Sequence, residues 1–109
     1  MYTMDTKVLS TLLSDSLARI EAYPMSRVTW IDAQTTGDSG WSNLEEMLED
    51  ALTPPPVIVT VGFVLLDCDS HIAMTETLGP AECGHVTKIP KGMILENLKI
   101  NTSQSQIYS

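Results

Sequence analysis

At 109 residues the chain is long enough to form one domain with its own hydrophobic core, because a chain of this size buries roughly 65% of its unfolded surface without disulfides or metals. Its formal net charge is -8 and it has no basic stripe, which excludes duplex binding through phosphate neutralisation. It has two cysteines, no apolar run near the ~20 residues that span a bilayer, and no basic and apolar leader. These features predict a cytoplasmic protein with no membrane contact.

The charge is distributed unevenly along the chain. Residues 30–55 carry six acidic and no basic side chains, whereas residues 86–109 carry three lysines and one glutamate. A protein partner, or a small anionic ligand in a local pocket, fits this distribution better than a nucleic acid does. The acidic side chains around Glu45 and Glu49 are also the solvated face that an amphipathic helix requires.

The first predicted element is an amphipathic helix that Asp5 caps and that runs to about Ala22. Its apolar side chains recur at intervals of three and four residues, at Leu9, Leu12, Leu13, Leu17 and Ile20. Pro24 prevents the helix from continuing. Such a helix needs an apolar surface to lie on.

A strand and a second helix follow. Residues 26–33 are rich in the residue types that favour strands, and they end in a loop rich in Gly, Ser and Thr over residues 34–40. Ser42 and Glu45 form the reciprocal capping pattern S-x-x-E. The helix that they begin has an apolar stripe and ends at the three prolines of residues 54–56.

The stretch from Val57 to Leu66 is the most informative part of the sequence. Val, Ile, Thr and Phe predominate, as in a strand, but both faces are apolar, whereas an antiparallel strand with one wet side would alternate. Gly62 in its middle indicates a bend or bulge of the kind that curls a sheet. The alternating segment from His71 to Leu78 completes a hairpin with it.

Two further strands complete the predicted fold, at residues 85–89 and 94–100, with a turn at residues 90–92 between them. The predicted fold class is α+β, with a small five-stranded antiparallel sheet curled into an Sm-like barrel. An N-terminal helix precedes the sheet, and a second short helix lies between strands 1 and 2. An open sheet packed by the two helices is the alternative.

The predicted domain organisation is simple. Residues 1–100 form a single domain, in which residues 1–24 contain the N-terminal helix and residues 26–100 the β-rich core. Residues 101–109 are expected to be a flexible polar tail.

Two cysteines and two histidines lie close enough in sequence to raise the question of a zinc site, which two Cys and two His commonly form. These residues are Cys68, His71, Cys83 and His85. The single residue between the second Cys and its His is a poor spacing for a zinc knuckle, so we expect no metal, no cofactor and unlinked thiols. The alternative is a small metal- or Cys/His-dependent hydrolase, which could also use the carboxylate pair Asp67 and Asp69.

The candidate binding residues are two tryptophans, a neighbouring acid and the bases near the predicted sheet. Large aromatic side chains are common anchors at interfaces and ligand sites, although they more often fill a core. No residue is assigned a catalytic role. The candidate residues are Arg27, Trp30, Asp32, Trp41, Lys88 and Lys91.

Four short motifs resemble a group of small uncharacterised bacteriophage and prophage proteins over residues 28–100. They are VTWIDA at residues 28–33, GW at residues 40–41 before an acidic helix, VTVG at residues 59–62 and IPKGMI at residues 89–94. The resemblance brings no activity with it. It implies a viral origin and an accessory, anti-defence role inside the host cell. Such a role is performed by binding a host protein or by sequestering a small nucleotide signal.

The doubly apolar central strand also predicts self-association. Its residues Ile58, Val64 and Leu66 join further apolar residues on the first helix and the last strand, and five strands with two helices cannot cover them all. Large exposed apolar patches are rare on monomers. We therefore expect a symmetric dimer or larger ring, with ligand pockets between subunits near Arg27, Trp30 and Lys88.

Overall fold

The computed structural model describes residues 5–101, which contain two α-helices and five strands. The elements are α1 Thr6–Glu21, β1 Met25–Ile31, α2 Leu44–Leu52, β2 Val57–Asp67, β3 His71–Thr75, β4 Val86–Pro90 and β5 Ile94–Ile100. A 3-10 helix, Lys91–Met93, joins β4 to β5. The α+β class, the five antiparallel strands and the position of α2 between the first two strands are confirmed. Most of the predicted tail, residues 102–109, lies outside the described residues.

The five strands form one antiparallel sheet in the order β4-β3-β2-β1-β5. The last strand, β5, therefore returns to pair with the first, β1. The long strand β2 is shared between two neighbours, because residues 57–63 pair with β1 and residues 63–67 lie along β3. Any bend between these two parts changes the direction of the whole sheet.

The sheet is curled, because its two edge strands are consecutive in the chain. Four strand spacings separate β4 from β5, which in a flat sheet would be about 19 Å. The connection between them is the three-residue helix Lys91–Met93, which at a rise of about 2 Å per residue covers only about 8 Å. The sheet must therefore bend until its edges approach each other at this connection.

The curled sheet is open rather than closed into the predicted barrel. Among the described residues, β4 pairs only with β3, and β5 pairs only with β1. The edges meet at the short connection and then diverge, since β5 follows β1 along its length. The open-sheet alternative is also only half right, because the helices do not cover the sheet.

The bend has two identifiable causes in β2. The register between β2 and β3 shifts between Val64 and Leu66, which places the bulge beyond the predicted position at Gly62. Gly62 instead pairs regularly with Ser26. Its role is to permit close approach, because a Cβ at this position would collide with the backbone carbonyl of Thr75 on β3.

The core lies inside the curl and is small. Its buried cluster comprises Val28, Val64, Ile72, Met74 and Ile89, with Trp30 and Ile94 packed against it. These side chains come from all five strands. No residue of either α-helix is buried, so the expected packing of α1 on the sheet is wrong for the isolated chain.

The helix boundaries are set by local capping. As predicted, Asp5 caps α1, and its Oδ1 accepts a hydrogen bond from the Lys7 backbone N–H at 2.7 Å. The predicted cap of α2 is wrong by one residue, because Asn43 rather than Ser42 accepts from the Glu46 N–H, at 3.1 Å. Serine and asparagine are both favoured at this position. Because the helix begins at Leu44, Asn43 is the residue that precedes it and caps it.

Neither described helix is long and apolar enough to cross a membrane.

Several strand boundaries differ from the predictions, most of them by one residue and the ends of β1 and β3 by two or three. β1 ends at Ile31 and β3 at Thr75, earlier than expected, while β4 begins at Val86. Beyond β3 the chain leaves the sheet, although Leu78 makes an isolated bridge with Cys83. The segment between β3 and β4 is therefore a folded-back loop, which the alternating pattern up to Leu78 does not reveal.

Candidate functional site

Two of the predicted binding residues, Arg27 and Trp30, lie on opposite faces of β1. Trp30 packs against the core cluster, and its Nε1 donates a hydrogen bond to Thr60 Oγ1 on β2 at 3.0 Å. Arg27 points to the other side and is exposed. The core thus accounts for the packing of Trp30, while Arg27 is available to a partner.

Arg27 lies in what we call the outer face, the side of β1, β2 and β5 that points away from the core. Its members follow from the strand register, because residues opposite each other share a face, and they include Arg27, Thr29, Val57, Val59, Val61 and Leu98. Arg27 is 4.0 Å from Glu96 in an exposed ion pair. A surface pair at this distance holds the guanidinium only weakly.

The other predicted binding residues are scattered. Trp41 is fully exposed in the loop before α2, and the Asp32 N–H donates to the Pro56 carbonyl at 3.0 Å, which ties the end of β1 to the start of β2. Lys88 is exposed on the edge strand β4, and Lys91 donates to Asp67 Oδ1 at 2.6 Å. A single copy of the chain does not gather these residues into one cavity, since β2 and β3 separate β4 from β1.

The four candidate zinc ligands are not brought together. Within residues 5–101 no group of three or more His, Cys, Asp or Glu side chains is placed to hold a metal. His85 Nδ1 lies 3.8 Å from Glu76 Oε1. Of the two predicted Cys/His pairs, Cys68 and His71 are in contact, with the Cys68 Sγ 3.6 Å from the His71 Nδ1.

That contact belongs to a small cluster at the β2–β3 turn. Ser70 Oγ is 3.4 Å from the Cys68 sulfur and 2.7 Å from His71 Nδ1. The hydroxyl of Ser70 is the main cause that lowers the pKa of the Cys68 thiol, followed by the backbone of His71 and Ser70 and by the charge of Lys91. A thiol activated in this way is a better nucleophile at neutral pH.

A cavity of about 560 Å³ lies where the end of α1 meets the loop between β3 and β4. Its lining includes Arg19, Tyr23, Leu65, Glu82 and Cys83. Cys83 was an alternative metal or hydrolase candidate in the sequence, whereas no pattern there predicted a cavity at this position. Cys68 and His71 do not line it, so the activated thiol and this cavity are separate features.

The outer face is apolar and uncovered. Val59 and Val61 in the middle of β2 are 46% and 49% exposed, and Leu98, on β5 at the other side of β1, is 47% exposed. Valines in the central strands of a sheet are normally covered. Nothing in residues 5–101 packs over this row.

The apolar side of α1 is uncovered as well. Val8, Leu9, Leu12 and Leu13 are each about half exposed, although they form the stripe that amphipathic helices turn toward a core. A helix of this length is marginal on its own in water, since most helical stability in proteins comes from packing of the apolar face. The stripe is therefore an apolar helix surface without its usual packing partner within residues 5–101.

No family model, curated protein or solved structure matches this chain. The function must therefore be inferred from its own residues.

Proposed function

We propose that this protein is a non-enzymatic binding protein that acts by occupancy as a homo-oligomer of curled, Sm-like sheets. The observation that supports this most directly is the uncovered apolar surface of the outer face and α1. The largest patch on a typical monomer is already about 300–600 Å². This chain exposes more than one such group of apolar side chains. They are the valines of β2, Leu98 on the edge strand β5, and the apolar side of the four-turn helix α1.

The sheet edges suggest how the copies join. An exposed edge strand offers unpaired N–H and C=O groups to another chain, and this sheet has two different edges, β4 and β5. Pairing of β4 in one copy with β5 in the next is a head-to-tail contact, which closes into a ring when the rotation allows. The curl supports closure, because edge-to-edge pairing of curved sheets turns each copy relative to the one before it.

This arrangement would also create the binding site that a single copy lacks. Lys88 on β4 and Arg27 on β1 both lie on the side away from the core, as the register with Ala73 and Val61 requires. With β5 of the next copy beside β4, its Arg27 is two strand spacings, or about 10 Å, from Lys88. Two cations at this separation suit a small anionic ligand such as a nucleotide.

The partner is thus a host protein or a small anionic nucleotide, as expected for a phage-type accessory protein with an anti-defence role in the host cell. The cavity beside Arg19 and Tyr23 offers each copy a second polar and aromatic surface. The hydrolase alternative is less well supported, because the cavity is lined by Cys83 but by neither His71 nor His85, and Cys68, the thiol with the lowered pKa, lies outside it.

The assembly is tested by size exclusion with multi-angle light scattering over a range of micromolar concentrations. We expect the wild type to have a multiple of the monomer mass. Leu9→Lys on α1 and Leu98→Lys on β5 should shift it to the monomer, because each places a charge in the apolar surface that we propose the assembly buries. Leu52→Lys is the matched control, since Leu52 is exposed on α2 outside both surfaces. A monomeric wild type at all concentrations would refute the proposal.

The binding role needs its own test. Equilibrium dialysis against a panel of mono-, di- and cyclic nucleotides, with Arg27→Gln and Lys88→Gln proteins beside the wild type, tests the small-ligand version. A pull-down from host lysate with wild type and Leu98→Lys tests the protein version. Turnover of a nucleotide by the wild type would contradict the non-enzymatic assignment.

A further inference from the structure

The β2–β3 turn holds its side chains in a fixed arrangement. The Cys68 N–H donates to the His71 carbonyl at 3.1 Å, which closes the turn. The Lys91 N–H donates to the Ser70 carbonyl at 3.0 Å, which ties the turn to the 3-10 helix after β4. Backbone hydrogen bonds from two segments therefore fix the backbone of this turn, which carries Cys68.

The Ser70 hydroxyl, the backbone of His71 and Ser70, and the charge of Lys91 favour the thiolate form of this sulfur. Ser70 Oγ at 3.4 Å can donate to it, and His71 Nδ1 at 3.6 Å can accept its proton. Lys91 adds positive charge, although Asp67 neutralises part of it through the 2.6 Å ion pair. Asp69 is the other charged residue of the turn, and it is exposed. Cys68 itself is partly exposed, so a small reagent can reach it.

We propose that Cys68 is a nucleophilic thiol that undergoes exchange with low-molecular-weight disulfides of the glutathione type. The geometry that carries this is a cysteine, a hydroxyl donor and an imidazole base held together by backbone contacts from two elements. The inference rests on this turn alone and does not depend on the oligomer or on its ligand.

The reaction is a balanced exchange. The thiol proton passes to His71, and the Cys68 thiolate attacks one sulfur of the disulfide R–S–S–R. The bond between Cys68 and that sulfur forms while the S–S bond of the reagent breaks. The second sulfur leaves as a thiolate and takes a proton from the imidazolium or from water, so the products are the protein mixed disulfide and one R–SH.

Cys83 is an internal reference, because it is exposed and free. The Cys83→Ser protein reports on Cys68 alone, and the Cys68→Ser protein reports on Cys83 alone. Each is treated with the aromatic disulfide DTNB between about pH 6 and pH 9, native and in denaturant, and the released thiolate is followed by absorbance. The range brackets the ordinary thiol pKa.

We expect native Cys68 to react faster than its denatured form near neutral pH, because a lowered pKa raises the thiolate fraction by more than it reduces the nucleophilicity of the thiolate. The advantage should disappear as the pH approaches the ordinary thiol pKa. Cys83 should lack it. Ser70→Ala in the Cys83→Ser background should reduce the rate, with circular dichroism as the check on folding.

A second measurement keeps the inference testable if that variant fails to fold. Wild-type protein incubated with oxidised glutathione and digested should carry the mixed disulfide at Cys68 in preference to Cys83, as seen by mass spectrometry. Equal modification of the two cysteines, or a native Cys68 rate no higher than the denatured rate at every pH, would overturn the proposal.

Discussion

The two faces of the central strands behave in opposite ways although their composition is similar. Val28 on the core face of β1 is completely buried, whereas Val59 on the outer face of the adjacent strand is 46% exposed. Both are valines in well-paired strands one spacing apart. Apolar composition alone therefore does not determine which face is buried within this chain, because the topology decides that.

The core face is closed by the curl itself. Bending at β2 brings Ile72 and Met74 of β3 over Val28 and Val64, and Ile89 completes the cluster. The outer face is not covered in this way. The two helices could have covered it, but neither α1 nor α2 has a buried residue. The core alone should hold the sheet together, and the outer face should matter only when a partner is present.

The largest effect is expected from a change that prevents the bend. Gly62→Val should destabilise the fold by about 3 kcal/mol, the upper end of the usual cost of overpacking, because its Cβ would meet the Thr75 backbone rather than a flexible side chain. Thermal unfolding at fixed protein concentration measures this.

Gly92→Val is the control for that experiment, since a Cβ at Gly92 has no neighbouring atom within 4 Å. We expect its melting temperature to stay close to that of the wild type. If Gly62→Val were equally harmless, the close approach of β2 and β3 would not be required for the curl.

A matched pair of valines compares the faces directly. Val28→Ala should cost about 2 kcal/mol, because it removes two buried carbons at about 0.8 kcal/mol each and leaves a cavity. Val59→Ala should cost less than about 0.5 kcal/mol in the monomer, the usual range for surface positions. Urea titration of dilute protein measures both. An equal loss in the two variants would mean that the outer face is already covered within one chain.

The same comparison explains which parts of the fold could be predicted from the sequence. Elements were predictable wherever the signal is local. Asp5 caps α1 as expected, and β5 has the predicted bounds of Ile94–Ile100. The curl was inferred from Gly62, but the bulge falls near Leu65 instead, because a bulge depends on the register with β3 and not on one residue.

Features that depend on distant contacts were not predictable. The sheet is open because β5 pairs with β1 and not with β4. This long-range pairing, which also leaves the outer face exposed, is not specified by any local sequence pattern. At the β2–β3 turn, the sequence placed Cys68 three residues before His71, and a tight turn made that spacing a contact of 3.6 Å. The separation of Cys83 from this pair could not be seen before the strand order was known. By contrast, the opposite orientation of Arg27 and Trp30 was predictable, because side chains alternate between the two faces along β1.

The smallest effect should come from the region that is least coupled to the core. Asn43→Ala removes the N-cap hydrogen bond of α2, which stabilises the helix locally by about 1 kcal/mol. Ser42→Ala is the control, because Asn43 and not Ser42 caps the helix. Because α2 has no buried residue, we expect faster amide exchange in residues 44–52 of the Asn43→Ala protein, with an unchanged melting temperature. Exchange measured by NMR resolves this region from the sheet. A lower melting temperature would instead show that α2 contributes to the stability of the whole fold, which would contradict the division between a closed core and an open surface.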